Sequence, residues 1–368
     1  MTKRVLILAG DGVGPEVTAQ GRRVLEWFAG ERGIDLALQD APYGAAAYQA
    51  QGAVLQEETL ADCLAVDAVL FGATGGPEME AVPAEARRAG SLLRIRREMQ
   101  TFANLRPIVG YAELADAVPL KRDVIEGCDV LIVRELNGGA YFGQPRGIET
   151  LADGGERAVN TNVYTTPEIE RVARAAFELA RGRGGRLTSI DKSNVMETGQ
   201  LWRRVVDRVG AEEYPDIALD HILVDNCAMQ LARDPKQFDT MVTDNMFGDI
   251  LSDIGGAVSG SLGMLPSASL SAPDADGRRR ALYEPIHGSA PDIAGRGVAN
   301  PIASILSVGM ALRHSLAAPE AADLLERAVR ETLGRGIRTA DIRSPNGKAV
   351  STSEMGDAVL AQLRRLTS

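Results

Sequence analysis

In the stretch TDNMFGDILSDIGG, Thr243 to Gly256, two carboxylates stand four residues apart in apolar, glycine-rich company. Asp249 and Asp253 would share one helix face beside Ile250, Leu251 and Ile254, where like charges repel by roughly 0.2–0.5 kcal/mol. A solvated helix edge is the plain reading of such a pair; a bound divalent cation is the sharper one. Asp244, the third acid in the stretch, reads better as a strand-end or capping residue. Arginines form a second candidate group. Arg94, Arg96 and Arg97 fall on an expected helix in SLLRIRREMQ, Arg106 precedes Pro107, and Arg134 ends a strand in VLIVRELNGG. Any one of them is more often a solvated side chain, yet the guanidinium fork is the natural clamp for a carboxylate.

The elements that must carry these residues are well punctuated. RVLILAG followed by DGVGPEVTAQGRRVLEWFAG reads as a buried strand, a glycine loop and an amphipathic helix. Gly10, Gly12 and Gly14 give G-x-G-x-G rather than the dinucleotide fingerprint, so the loop reads as strand-to-helix chemistry and not as a pyrophosphate cradle. TTPEIERVARAAFELARGRGG is a helix with Thr166 as its expected cap and Pro167 in the first turn. Its stripe is Ile169, Val172, Ala173, Ala176, Phe177 and Ala180. Three short strands then end in polar residues: RLTSI before Asp191, Lys192 and Asn194; ALDHILV before Asp225 and Asn226; FDTMVT before Asp244 and Asn245. Ligands of open α/β sheets bind outside the carboxyl ends of strands, so three such ends in succession point to a site. The glycine-rich ELNGGAYFGQPRGIETLADGGERAVNTNVYT reads as an irregular β segment and an exposed arm making a subunit contact.

Composition bounds what the site can serve. The 368 residues suggest two lobes, and 45% hydrophobic with 24% charged residues is the balance of a globular chain. A net charge of −10 argues against nucleic acid and anionic membrane as partners. Cys63, Cys128 and Cys227 are scattered and odd in number, which suits reduced thiols in a cytoplasmic protein rather than a disulfide framework. The apolar run at the start is too short for a signal segment, and no run approaches a membrane span.

The ordered motifs GDGVGPEV, FANLRP, VRELNGGAYFGQPRG, IDKSNV, NMFGDILSD, GSLGMLPSASL and EPIHGSAPDIAGRGVANP resemble those of the isocitrate/isopropylmalate family of β-decarboxylating dehydrogenases almost from end to end. The resemblance implies an α/β fold of the isopropylmalate dehydrogenase type: two lobes sharing a large twisted mixed sheet flanked by helices, with a β arm. Residues 1–101 and 260–368 would form the cofactor lobe, and 102–259 a central lobe with the metal ligands, dimer interface and arm.

The same resemblance implies roles. Arg96, Arg106 and Arg134 would hold the carboxylates of a substituted malate. Asp249 and Asp253, with Asp225 from the second subunit of a homodimer, would bind Mg²⁺ or Mn²⁺. Lys192, also from the second subunit, would serve the first proton transfer and Tyr141 would protonate the enol. Leu92 and Leu93, with Val195 of the neighbouring subunit, would meet the alkyl group. NAD would lie on His287, Gly288, Ser289, Ala290, Asp292 and Asn300, with Asp292 on the ribose hydroxyls and repelling a 2′-phosphate. The implied reaction is NAD-dependent oxidative decarboxylation of 3-isopropylmalate in leucine biosynthesis. Ala89 departs from the family's acidic residue at that place, so tartrate, homoisocitrate or another substituted malate stands as the alternative. A silent, ligand-sensing subunit would have lost some of the lysine, tyrosine and aspartates, and all are present.

Overall fold

The computed structural model describes residues 2–368. The fold is α/β, with mixed β-sheet flanked by helices. The chain divides into two compact units: one takes the chain up to Thr101, Val109–Gly127 and Gly256–Ser368, the other Phe102–Ile108 and Cys128–Gly255.

In the first unit, Lys3–Gly10 pairs in parallel with Leu36–Asp40 and with Ala68–Ala73. Ala68–Ala73 continues in parallel to Ala281–Pro285, which runs antiparallel to Pro266–Leu270. The segment AVLFGA is buried at every position. An unbroken apolar run of this kind belongs to a strand covered on both faces. The helix Ile302–His314 is buried almost all round, and Gly14–Arg32 lies so close that a Cβ at Gly21 would sit 3.1 Å from Ser304 Oγ. Gly10 has φ +75°, and a Cβ there would lie 1.9 Å from the Ala73 carbonyl oxygen. Close packing of the strand end thus explains a glycine of the GDGVG loop. Asp11 knits the same loop together by accepting from the backbone N–H of Ala45 (2.7 Å) and Gly75 (3.0 Å) and from the Thr74 hydroxyl (3.2 Å).

In the second unit, Thr240–Thr243 pairs in parallel with Asp129–Glu135 on one side and Arg186–Asp191 on the other, and Arg186–Asp191 pairs in parallel with Ala218–Leu223. The register sets Thr243 beside Arg134 and Ile190, and Asp191 beside Leu223, so the carboxyl ends come level. The helix Thr166–Arg181 buries the expected stripe. Its cap is Thr165 rather than Thr166: Glu168 Oε2 accepts from the Thr165 backbone N–H at 2.8 Å and its hydroxyl at 2.7 Å. Either threonine can precede Pro167, and the Glu168 reach selects the earlier one. A second displacement concerns Asp225 and Asn226, which fall in the first turn of the helix Val224–Arg233 instead of on the strand end. Gly147–Thr150 and Glu156–Val159 form an antiparallel hairpin whose side chains are almost all exposed. Among the described residues no helix is long and apolar enough to cross a membrane.

Candidate active site

The second unit gathers three of the expected residues on the carboxylate of a fourth, Asp249. Arg134, near the end of Asp129–Glu135, donates from Nη1 to Asp249 Oδ1 at 2.5 Å. Arg106, on Ala103–Val109, donates from Nη1 to the same oxygen at 3.1 Å and to Ser252 Oγ at 2.6 Å. Tyr141, at the end of the short 3-10 turn Gly139–Tyr141, donates its hydroxyl proton to Asp249 Oδ2 at 2.9 Å. Gly248 makes this possible, because a Cβ there would meet the Arg134 stem at 2.6 Å. Both guanidiniums are buried, while Asp249 is about one-third exposed (37%). Arginine does not give up its proton, so two buried cations share a carboxylate that solvent can still reach. Such a place suits an anionic ligand.

Asp253 stands one helical turn beyond Asp249. Burial raises its carboxyl above the ordinary range; the Arg106 charge opposes this and the Asp249 charge adds to it. The two carboxylates thus stand one turn apart on the helix Asn245–Ser259, and like charge on Asp249 adds to the cost of ionising Asp253. Burial also raises the Tyr141 phenol, helped by its bond to Asp249, so the hydroxyl keeps its proton at neutral pH.

Lys192 and Asp225 form a separate ion pair, the lysine Nζ on Asp225 Oδ1. That contact holds the Asp225 carboxyl below its usual range. Val195 nearby is 64% exposed. Among the described residues no three His, Cys, Asp or Glu side chains are placed to hold one metal ion within a single chain.

Arg96, Leu92 and Leu93 belong to the first unit, on the helix Leu92–Glu98 capped by Ser91. Arg96 is ion-paired with Glu284, both side chains buried. Leu92 packs against the core around Ile95, and Leu93 is exposed. In the cofactor segment of that unit, burial lowers the His287 pKa and keeps the imidazole neutral. His287 Nδ1 lies 2.9 Å from the Gly288 carbonyl oxygen, while its Nε2 is buried without a hydrogen-bond partner among the described residues. The Ser289 carbonyl accepts from the Val13 N–H at 2.8 Å, and Ala290 has φ +40°. The Asp292 residue is exposed. Asn300 accepts the Ile302 N–H at 3.0 Å and donates to Asp341 Oδ2 at 3.0 Å.

Glu135 is a site residue that motif reading passes over. It is fully buried, and burial raises its pKa against three donors: the N–H of Asn137 (3.1 Å) and Gly138 (2.7 Å) and the Arg171 guanidinium (3.1 Å). It thereby ties down the turn leading to Tyr141. The signal was there in VRELNGG: an acid closing an apolar strand just before a glycine turn.

Known proteins are similar over the whole length. The sequence model of the isocitrate/isopropylmalate dehydrogenase family matches residues 4–359. The 3-isopropylmalate dehydrogenase 1 of Bradyrhizobium diazoefficiens is 56% identical over 365 residues, covering 99% of this chain and 96% of that one. The 3-isopropylmalate dehydrogenase of Rhodospirillum rubrum is 56% identical over 369 residues and all of both chains. Among solved structures, an isocitrate dehydrogenase from Methylococcus capsulatus superposes with a TM-score of 0.85 at 31% identity, covering 99% of this chain and 100% of that one. A beta-decarboxylating dehydrogenase from Thermococcus kodakarensis gives 0.78 at 34% identity, covering 100% and 97%. With a match of this extent on top of the motifs and the fold, the chain belongs to the isocitrate/isopropylmalate dehydrogenase family.

Proposed function

We propose that this chain catalyses the NAD-dependent oxidative decarboxylation of 3-isopropylmalate, a step of leucine biosynthesis, with Mg²⁺ or Mn²⁺. The observation that carries the reading is the convergence of Arg106, Arg134 and the Tyr141 hydroxyl on Asp249. It is supported by the names of the relatives that match at 56% identity.

In this reading Arg106 and Arg134, together with Arg96, hold the carboxylates of the malate. Asp249 and Asp253 hold the cation with the partner subunit's Asp225; the two carboxylates one turn apart fit it, and a bound cation would offset the burial and the Asp249 charge that raise Asp253. NAD fits the segment around His287, whose buried Nε2 offers a polar contact, with Ser289, Ala290, Gly288 and Asn300 lining it and Asp292 accepting from the ribose. When bound, the cation supplies Lewis-acid polarisation and the nicotinamide takes up a hydride. Lys192 of the partner subunit removes the proton of the 2-hydroxyl as C2 loses its hydride. The bond from C3 to its carboxylate then breaks with release of CO₂, and Tyr141 delivers a proton to C3. A tyrosine kept protonated by burial suits that last duty. Leu92 and Leu93, with Val195 of the partner subunit, receive the isopropyl group.

We place the enzyme in the cytoplasm as a homodimer. The exposed apolar side chains Val195, Met229 and Ile250 of the second unit support an interface there, and the open hairpin supports a further subunit contact. NAD reduction with Mg²⁺ across a panel of 3-isopropylmalate, homoisocitrate, isocitrate and tartrate tests the reading. The highest kcat/KM is expected for 3-isopropylmalate; a place among the poorest substrates refutes it.

A further inference from the structure

Asn245 is 1% exposed, and its side-chain amide is saturated. Oδ1 accepts from Arg134 Nε at 3.0 Å and from Arg134 Nη2 at 2.7 Å. Nδ2 donates to the carbonyls of Leu136 and Gly138, both at 3.1 Å. An amide has two lone pairs on oxygen and two hydrogens on nitrogen, so all four are used. The orientation is forced, because a guanidinium only donates and a carbonyl only accepts. The backbone N–H of Asn245 donates in turn to Tyr164 Oη at 2.9 Å. Tyr164 packs so tightly on the same turn that a Cβ at Gly139 would lie 2.5 Å from that oxygen.

We infer that Asn245 is a positioning residue that locks the Arg134 guanidinium and the turn carrying Tyr141 into one rigid piece. Two N–H groups on one edge of Arg134 go to Asn245, which aims Nη1 at Asp249. The carbonyls that the amide holds belong to Leu136 and Gly138, and the next residue begins the 3-10 turn ending at Tyr141. A carboxylate grip and a proton donor are thus set by one buried side chain whose hydrogen bonds all go to the protein. Aspartate can keep the bond to Arg134 but has no hydrogens for the two carbonyls, alanine offers neither donor nor acceptor, and a single serine hydroxyl cannot replace four hydrogen bonds. The inference rests on the proposed reaction for its kinetic consequences, though not for its structural ones.

The test uses the full-length protein as Asn245→Ala and Asn245→Asp, with Ser189→Ala as a control. Ser189 is a buried hydroxyl of the same unit that accepts from Trp202 Nε1 and has no part in the site. Misplacement of catalytic groups by an ångström costs on the order of a hundredfold. Asn245→Ala is therefore expected to raise KM for 3-isopropylmalate and lower kcat, each by about tenfold or more. Asn245→Asp is expected to lower kcat by about tenfold at saturating substrate, since the Tyr141 turn is released. Ser189→Ala is expected to lower Tm while both constants stay within about twofold. Amide hydrogen exchange over residues 136–141, measured without substrate, is expected to be about tenfold faster in both Asn245 variants and unchanged in the control. Should alanine fail to fold, Asn245→Ser carries the same expectations. Unchanged kcat in Asn245→Asp, or unchanged exchange over 136–141, overturns the inference. Wild-type enzyme inert towards 3-isopropylmalate would defeat the proposed reaction alone, and the exchange result would still decide the lock.

Discussion

Asp249 is the shared counter-ion of two guanidiniums that cannot release their protons, so its charge serves the unliganded protein as well as any cation. Asp249→Asn keeps the volume and one acceptor while removing that charge. Turnover is expected to fall by about a hundredfold or more, and Tm by a few degrees as the buried arginines lose their counter-ion. Steady-state kinetics and thermal melting read the two effects separately. Asp244 gives a prediction about pH. Burial lifts its carboxyl to about 6, while Oδ1 accepts from the Phe247 N–H at 2.8 Å. Between about pH 4 and 6 the folded chain holds a proton that the unfolded chain has released. Stability from this group is therefore complete below that window and lost as pH rises through it. Asn keeps the acceptor without the charge, so Asp244→Asn is expected to stabilise the protein at pH 8, by up to roughly 3 kcal/mol, and to change little at pH 4. Urea titrations at the two pH values check it. At this scale the sequence is legible where spacing decides, as in setting Asp249 and Asp253 one turn apart on a helix. It is silent on Glu135 and on the saturation of Asn245, because single buried polar residues leave no period and reveal themselves only through partners distant along the chain.

Helices are the most readable elements. The stripe of Thr166–Arg181 follows from the 3.6 period alone, because each apolar position had only one face on which to fall. The ends are harder, since Thr165 and Thr166 both precede a proline and both can cap. The observed contacts lead to a distinction: Thr165→Ala is expected to cost about 1 kcal/mol of stability, and Thr166→Ala a few tenths. Chemical denaturation of the two variants reads the difference; equal losses would mean that the Glu168 contacts add nothing. Asp225 shows another limit. Its strand gives way to the helix Val224–Arg233 one residue earlier than a reading of ALDHILV suggests, because the valine that prolongs the β-like run is also the first residue of an amphipathic turn.

For the molecule as a whole, the apolar side chains of Met229 and Ile250 are exposed on two helices of the second unit. If a second copy covers them, Met229→Asp is expected to shift the protein from dimer to monomer in sedimentation. Activity should fall by about tenfold or more, since Lys192 and Asp225 would then serve no neighbouring site. A fully active monomer would refute the shared site. The α/β class was readable from strand and helix patterning, because apolar runs and 3.6 periods are local. Which strands lie side by side was not, since pairing is a property of pieces far apart along the chain.

That separation has a temporal side. Ala68–Ala73 takes Ala281–Pro285 as a neighbour, about 200 residues downstream. At roughly 5–20 residues per second, the ribosome delivers the later strand some 10–40 s after the earlier one. Meanwhile Cys128–Gly255, which carries Arg134, Tyr141, Lys192 and Asp249, emerges as one uninterrupted run. That segment can thus complete its own sheet while the opening strands still wait for their last neighbour, exposed to chaperones and proteases in the interval. Pulse proteolysis of arrested nascent chains should find residues 128–255 protected before residues 3–73.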